Sequence, residues 1–201
     1  LKTLMKAVAY RKSLPIIDPN AFENITLERP KASSRDILVK VEAISVNPVD
    51  SKVRLRAEPP EGEYKILGWD ATGIVDEVGD EVQLFKKGDK VWYAGAIERS
   101  GANAEYHLVD ERIVSSMPKT LAFADAAALP LTSLTAWEML FDRFKINSDT
   151  KGTLLVIGGA GGVGSIMIQL AKKLTQLKVV ATASRPDTIE WVLKLGADAV
   201  I

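Results

Sequence analysis

The residues of this chain best suited to bind a ligand are glycines that follow an apolar run. Residues 154–164 read LLVIGGAGGVG and lead directly into SIMIQLAKKL. G-x-G-x-x-G falls at Gly159, Gly161 and Gly164, between a predicted buried strand and a predicted amphipathic helix, which is the context that gives this pattern its mechanism. Such glycines allow a tight turn, a close approach to a pyrophosphate at the helix N-terminus, and close packing of helix on strand. We therefore predict a dinucleotide site at Gly159, Ala160, Gly161, Gly162, Val163 and Gly164; an ordinary glycine-rich turn is the alternative.

The end of the next predicted strand bears on which dinucleotide would bind. Sites for NAD usually carry an Asp or Glu about 20 residues after the glycines, where it binds the ribose 2′-hydroxyl. This chain has Thr182-Ala183-Ser184-Arg185 there instead. Because a guanidinium offers a planar fork of donors to a phosphate, Ser184 and Arg185 favour NADP(H). A solvated surface arginine is the alternative, and Asp187 two residues later complicates the choice.

The composition argues against several other kinds of site. The chain has 201 residues, 26 basic and 26 acidic side chains, no cysteine and a single histidine, His107. Without cysteine there is no disulfide, no thiol nucleophile and no Cys-ligated zinc. Zero net charge without a Lys/Arg block argues against nucleic acid or an anionic membrane as the main partner. No apolar run of about 18 residues is present to span a membrane, and we expect a cytoplasmic protein.

The pattern of elements changes about 115 residues into the chain. The first part is β-rich and punctuated by Gly and Pro turns, with predicted strands at 5–10, 37–46, 71–79, 89–95 and 104–111. Helical patterns follow at 122–129 and 132–144, with Pro130 interrupting them. A strand at 153–157, a helix at 163–174, a strand at 178–183, a helix at about 188–195 stopped by Gly196, and the start of a third strand at 198–201 complete the chain.

These elements predict an α/β fold with two domains. Residues 1–120 would form a barrel-like β domain. Residues 121–201 would form linker helices and the first half of a Rossmann dinucleotide-binding domain, since that fold uses six strands and only three are encoded here. We therefore expect the chain to be truncated, as part of a longer protein.

Segments spread along almost the whole chain resemble the medium-chain dehydrogenase/reductase superfamily, in its zinc-independent quinone oxidoreductase branch. The resemblance is greatest to the group of zinc-type alcohol dehydrogenase-like proteins. It implies a GroES-like catalytic domain followed by a Rossmann domain, with the active site in the cleft between them. The matching segments are 45–50 (SVNPVD), 68–73 (GWDATG), 87–91 (KGDKV), 101–106 (GANAEY), 126–137 (AAALPLTSLTAW) and 159–164 (GAGGVG).

The chain departs from the zinc-dependent relatives at the positions that bind metal. Those relatives carry a cysteine near the position of Asn47 and Gly-His-Glu where this chain has Gly68-Trp69-Asp70. The missing ligands predict that no metal is bound and that Asp70 is a structural carboxylate.

The resemblance suggests where catalysis would occur. Asn47 is the first candidate for a polar group at the nicotinamide or substrate, with a turn at Asn47-Pro48 as the alternative. Quinone oxidoreductases commonly have a tyrosine five residues further on, where this chain has Lys52. Lys52 is therefore a candidate substrate contact, with an exposed lysine as the alternative.

Further positions follow from the same resemblance. Thr132 and Thr135 would face the nicotinamide end of the cofactor, with helix capping by Thr132 or Ser133 as the alternative. Trp69 and Tyr93 could line the cleft or simply be buried. His107 lies among polar neighbours, so we predict a surface or edge histidine.

The resulting expectation is an NADPH-dependent, zinc-independent oxidoreductase that transfers hydride to a quinone or an α,β-unsaturated carbonyl. The cofactor carries the difficult chemistry, and the protein orients the reactants and supplies donors. Its partner would be this small-molecule substrate, and the complete protein could be a homodimer. The alternative is a truncated, catalytically weak nucleotide-binding or interaction protein on the same scaffold, because a fold does not fix a function.

Overall fold

A computed structural model describes residues 3–201 and divides the chain into two compact units. The first ends at Leu131 and the second runs from Thr132 to Ile201. The boundary predicted at 120/121 therefore lies eleven residues before the change in packing, because the short helix that follows residue 120 packs with the first unit.

The first unit is built from two antiparallel sheets. Their strands are β1 (Leu4–Tyr10), β2 (Glu23–Glu28), β3 (Asp36–Ser45), β4 (Lys65–Ile66), β5 (Asp70–Val78), β6 (Lys90–Ala94), β7 (Tyr106–Asp110) and β8 (Val114–Ser116). One sheet has the strand order β2-β1-β4 and the other β7-β3-β5-β6-β8.

Alternation of side chains along these strands produces the core. In β7, residues 107 and 109 point inward while their neighbours are partly exposed. Because successive side chains of a strand point to opposite faces, one apolar set per strand is enough to fill the sheet interior. The core of the larger sheet contains Ile37, Val39, Ala71, Val75, Val91, Tyr93, Ala102 and Val109.

Two prolines that the sequence suggested as turn or break positions begin helices instead. Asn47 is the N-cap of α1 (Pro48–Arg56), and Pro130 is the first residue of α3 (Pro130–Trp137), which follows α2 (Phe123–Ala127). Proline suits this position because its fixed φ is helical and its missing N–H would have no partner there. A π-helical segment, Glu138–Arg143, continues from α3.

The second unit contains a parallel sheet with helices between its strands. The elements are β9 (Thr153–Val156), α4 (Gly162–Leu174), β10 (Lys178–Ala181), α5 (Pro186–Lys194) and β11 (Ala199–Val200), and the strand order is β11-β10-β9. Gly196 follows α5 with a φ of +109°, as the predicted stop requires. The core comprises Leu140, Val156, Ile168, Ala171, Val179, Ala181, Val192 and Ala197. Among residues 3–201, no helix has the length and apolar character needed to cross a membrane.

Candidate functional site

Asn47 is held by hydrogen bonds at both its backbone and its side chain. Its backbone N–H donates to Oδ2 of Asp50 over 2.7 Å, which satisfies an orphan amide at the start of α1. Its side-chain Nδ2 donates to Oδ2 of Asp70, also over 2.7 Å. Asn47 is therefore a buried, positioned amide, and not the residue of a free turn.

Two buried carboxylates surround this amide. Asp50 also accepts from the backbone N–H of Gly68 at 2.9 Å, and Asp70 accepts from the backbone N–H of Leu131 at 2.8 Å. Asp70 is fully buried, and no ion pair within residues 3–201 involves either carboxylate. Burial raises the pKa of Asp70, the charge of Asp50 raises it further, and the bonds from Asn47 and Leu131 oppose the rise.

The other side chains suggested near Asn47 differ in exposure. Lys52 is exposed on α1, five residues after Asn47, and within the described part of the chain no hydrogen bond or ion pair holds it. Trp69 is buried, and its indole Nε1 donates to the carbonyl of Ala96 over 3.2 Å. Tyr93 is buried in the sheet core. The aromatic rings are core side chains, as one of the two alternatives for them predicted.

The prediction that His107 is a surface or edge histidine is right about its strand, because β7 lies at the edge of the five-stranded sheet, and wrong about its side chain, which is buried. The residue is only 4% exposed, and its ring stacks on that of Tyr93 at 5.5 Å between centroids. Because the carbonyl of Ser100 can only accept, Nε2 must carry the proton and donate to it over 2.9 Å. Nδ1 then accepts from the Tyr93 hydroxyl at 2.9 Å. Burial lowers the pKa of His107 to about 4, so the ring is neutral at pH 7.

The glycine turn between β9 and α4 has the close contacts that its sequence pattern requires. A Cβ on Gly164 would lie 2.6 Å from the carbonyl oxygen of Gly158 and 2.7 Å from Cα of Gly159. One on Gly159 would lie 2.7 Å from Cβ of Ala181. Only glycine allows helix, turn and strand to approach this closely.

The first backbone amides of α4 have no side-chain cap. The N-cap residue is Gly161. A Cβ on Gly161 would meet only the carbonyl oxygen of Gly158, at 3.3 Å. Uncapped amides and the helix dipole together favour an anion at such an end. The backbone at 159–164 therefore fits a pyrophosphate.

Thr132 lies beside this turn. A Cβ on Gly162 would come within 3.0 Å of the Thr132 methyl carbon, so the first turn of α4 packs on α3 at this point. Thr135, one turn further along α3, is exposed. The structure thus brings Thr132 next to the glycines.

A residue that sequence reasoning missed is Thr182, at the end of β10. Its hydroxyl accepts from the N–H of Gly158 at 2.8 Å, and its carbonyl accepts from the N–H of Gly159 at 3.0 Å. Gly158 follows the end of β9 and has a φ of +68°, a backbone conformation that favours glycine. The available signal was a hydroxyl residue near the carboxyl end of a predicted strand of a parallel sheet, because neighbouring strand ends share one edge.

The two residues suggested for a 2′-phosphate follow Thr182 by two and three positions. Ser184 and Arg185 are both exposed, and Arg185 is the N-cap of α5. The Arg185 guanidinium pairs with Asp187 over 3.5 Å, with side chains 69% and 73% exposed. An exposed pair of this kind contributes little, so the guanidinium stays available to an anion.

A side-chain hydrogen bond joins the two helices of this unit near the glycine turn. The indole Nε1 of Trp191, on α5, donates to the hydroxyl of Ser165 over 2.9 Å. Ser165 directly follows Gly164, and Trp191 is 46% exposed. The start of α4 is therefore connected to α5 through one half-exposed tryptophan.

Metal-binding groups do not converge anywhere in residues 3–201, where no cluster of three or more His, Cys, Asp or Glu side chains occurs. Both ring nitrogens of His107 are already engaged in hydrogen bonds. The donor set present does not fit a catalytic zinc, which usually needs three protein ligands.

Known proteins share both the sequence and the fold. Residues 33–119 match the alcohol dehydrogenase GroES-like domain family. A zinc-type alcohol dehydrogenase-like protein of Staphylococcus epidermidis is 46% identical over 201 residues, covering 98% of this chain and 59% of that protein. The quinone oxidoreductase of Escherichia coli, solved with NADPH, superposes with a TM-score of 0.80 at 29% identity, covering 98% of this chain and 58% of that one. The chain belongs to the medium-chain dehydrogenase/reductase superfamily, in its quinone oxidoreductase branch.

Two further proteins are similar to this chain. A protein of Rhizobium etli CFN 42, assigned only by name to the zinc-dependent alcohol dehydrogenases, superposes with a TM-score of 0.92 at 53% identity, covering all of this chain and 59% of that one. The NADPH-dependent alkenal/one oxidoreductase of Arabidopsis thaliana is 37% identical, covering 86% of this chain and 46% of that protein. The chain therefore spans about 59% of the length of the relatives it matches best among these.

The predicted fold class is confirmed by these comparisons and by the two units. The chain is an α/β superfamily member with a GroES-like domain and a partial Rossmann-like sheet.

Proposed function

We propose that the protein is an NADP(H)-dependent oxidoreductase that transfers hydride to a quinone or an α,β-unsaturated carbonyl. The observation that carries the proposal is the backbone turn at 159–164, in which Gly159 and Gly164 have no room for a side chain and the helix end has no side-chain cap. Relatives named for quinone and alkenal/one reduction, one of them solved with NADPH, support the substrate class and the cofactor.

The second unit would bind the dinucleotide. The backbone of Gly159, Ala160, Gly161, Gly162, Val163 and Gly164 fits the pyrophosphate, and NADPH when bound supplies the hydride. Ser184 and Arg185 would hold the 2′-phosphate, because a phosphate with a charge near −2 competes well with the exposed carboxylate of Asp187. Thr132 and Thr135 would contact the nicotinamide end.

The first unit would supply polar groups to the substrate. The Asn47 amide would donate a hydrogen bond to the oxygen that gains negative charge during reduction. Lys52, exposed on the same helix, would be a second contact. Because the donor set does not fit zinc, we propose that these groups act without a metal. The complete protein would be a homodimer.

The cofactor assignment is tested by replacing one guanidinium. Arg185→Ala should lower kcat/KM for NADPH roughly 10–100-fold, the value of a charged hydrogen-bonding partner, and change that for NADH by no more than about 2-fold. Asp187→Asn is the matched control, because it frees the guanidinium and should strengthen NADPH binding. Rates of NADPH and NADH oxidation with a panel of quinones and enones measure both effects. An equal loss for the two cofactors in Arg185→Ala would remove Arg185 from the site.

The substrate and metal assignments use the same preparation. Turnover should appear with quinones or enones and not with simple alcohols, and elemental analysis should find no stoichiometric zinc. A protein that binds NADPH normally but reduces none of these acceptors would contradict the proposed reaction.

A further inference from the structure

Asp50 and Asp70 are both buried and have no ion pair within residues 3–201, yet their hydrogen bonds differ in kind. Both partners of Asp50 are backbone amides, those of Asn47 and Gly68, so this carboxylate closes the start of α1. Asp70 accepts one backbone amide, from Leu131, and one side-chain amide, from Asn47. Of the two, only Asp70 therefore contacts a side chain that the proposed function uses.

The chemistry of Asp70 decides which end of the Asn47 amide faces it. An ionised carboxylate has acceptors only, so the atom at 2.7 Å from Oδ2 must be the nitrogen of Asn47 and not its oxygen. The two ends of an asparagine amide have nearly the same shape, so shape alone does not select between them. The hydrogen bond to Asp70 therefore determines which end of the Asn47 amide faces this carboxylate.

We propose that Asp70 is the positioning residue of Asn47: it takes one N–H of the amide nitrogen and so fixes the other N–H as the donor offered to the carbonyl oxygen of the substrate. The substrate-facing part of this statement rests on the proposed function. The fixed orientation of the amide rests only on the hydrogen bonds of the first unit.

Asp70→Asn tests the proposal with almost no change in shape. The new amide can keep its oxygen on the Leu131 N–H, which turns its nitrogen toward Asn47. Two amide nitrogens then face each other, and Asn47 must rotate to present its oxygen to residue 70. The donor is thereby withdrawn without removing Asn47.

Asp50→Asn is the matched control, because it makes the same chemical change three residues from Asn47 but contacts only backbone amides. We expect Asp70→Asn to lower kcat roughly 10–100-fold, as the loss of one oriented donor does, with the NADPH dissociation constant within about 2-fold of wild type. Asp50→Asn should lower the melting temperature without a comparable loss of kcat. Equal losses of kcat in both variants would reduce Asp70 to a structural role.

A measurement without ligand separates this inference from the proposed function. In ¹⁵N side-chain amide spectra, one proton of Asn47 should exchange slowly in wild type and in Asp50→Asn, and lose that protection in Asp70→Asn. Unchanged Asn47 signals in Asp70→Asn would overturn the fixed orientation. If wild type shows this protection but reduces no acceptor, the orientation holds and the proposed reaction fails.

Discussion

The candidate site of the first unit consists of side chains, and that of the second unit consists mainly of backbone. In the first, the candidate donor Asn47 is held by buried side chains, among them an uncompensated carboxylate at Asp70. In the second, the candidate cofactor site is formed by the backbone of a glycine-rich turn and by a helix end that lacks a side-chain cap. The first site depends on protonation and on the direction of its hydrogen bonds. The second depends on the absence of a Cβ atom at its glycines.

Because of this difference, the two units should be sensitive to different perturbations: the first to pH and the second to added side-chain volume. A buried carboxylate and a buried neutral histidine make the first unit sensitive to pH, because each binds protons differently when folded. The glycine turn has no titratable group of its own, and its vulnerability is to a single added carbon. The predictions below separate these two sensitivities.

The largest effect should come from Gly164→Ala in the second unit. The new Cβ would lie within 2.7 Å of three backbone atoms of Gly158 and Gly159, which cannot move without opening the turn. We expect a destabilisation of roughly 3 kcal/mol, as for overpacking against rigid surroundings. Chemical denaturation of wild type and variant would measure it.

Gly161→Ala is the matched control within the same turn. Its φ is −72°, and its Cβ would approach only one carbonyl oxygen, at 3.3 Å. The fold should therefore survive with a small change in stability, while NADPH binding weakens because the added carbon occupies the approach of the pyrophosphate. If Gly161→Ala is as unstable as Gly164→Ala, the close contacts of Gly164 do not explain the loss of stability.

A smaller effect, about 2 kcal/mol, should follow from lowering the pH from 7 to 5. The pKa of His107 is about 4 when folded and 6.5 ordinarily, so the unfolded chain binds the proton first and the stability of the first unit falls as the pH drops through this interval. The raised pKa of Asp70 acts in the opposite direction, since stability is lost as the pH rises toward and past it.

His107→Gln isolates the histidine contribution because glutamine does not titrate. Hydrogen exchange of β6 and β7 peptides at the two pH values measures the local free energy of opening. The pH-dependent difference seen in wild type should shrink in this variant. A variant with the full wild-type pH dependence would assign the effect to other groups.

The smallest effect should come from Thr182→Val, which removes the acceptor of the Gly158 N–H while keeping the shape. Because this N–H is exposed and water can replace the hydroxyl, we expect a loss of about 0.5–1 kcal/mol in stability. A few-fold weakening of NADPH binding should accompany it. Calorimetric titration would compare Thr182→Val with Thr182→Ser, which retains the hydroxyl and should behave like wild type.

Sequence patterns predicted most of the fold because periodicity and glycine spacing depend on local chemistry. The strand predicted at 71–79 is Asp70–Val78, and the helix predicted at 163–174 is Gly162–Leu174. The glycine contacts follow directly from the motif, since only the missing Cβ permits them. Strand β2 was not predicted, although Ile25 and Leu27 alternate with polar residues as in a half-buried strand.

The first-unit site was harder to predict, because its contacts join residues far apart in the chain. Nothing local to Asn47 indicates that its amide meets Asp70, 23 residues later. For His107 a local signal existed and was overlooked: Val109, two residues on, lies on the same face of the strand and is buried. Polar neighbours misled the interpretation, because side-chain direction in a strand is set by alternation and not by composition.

The hydrogen bond from Trp191 to Ser165 has an optical consequence. The indole is half exposed, so its emission responds to the polarity around it, and its only polar atom is attached to the residue that directly follows Gly164. A displacement of the first turn of α4 should change this hydrogen bond and therefore the wavelength and intensity of the tryptophan emission. The protein thus contains a natural fluorophore that is hydrogen-bonded to the residue after its glycine turn. We expect the emission of Trp191 to change when a ligand binds at that turn, without an added label.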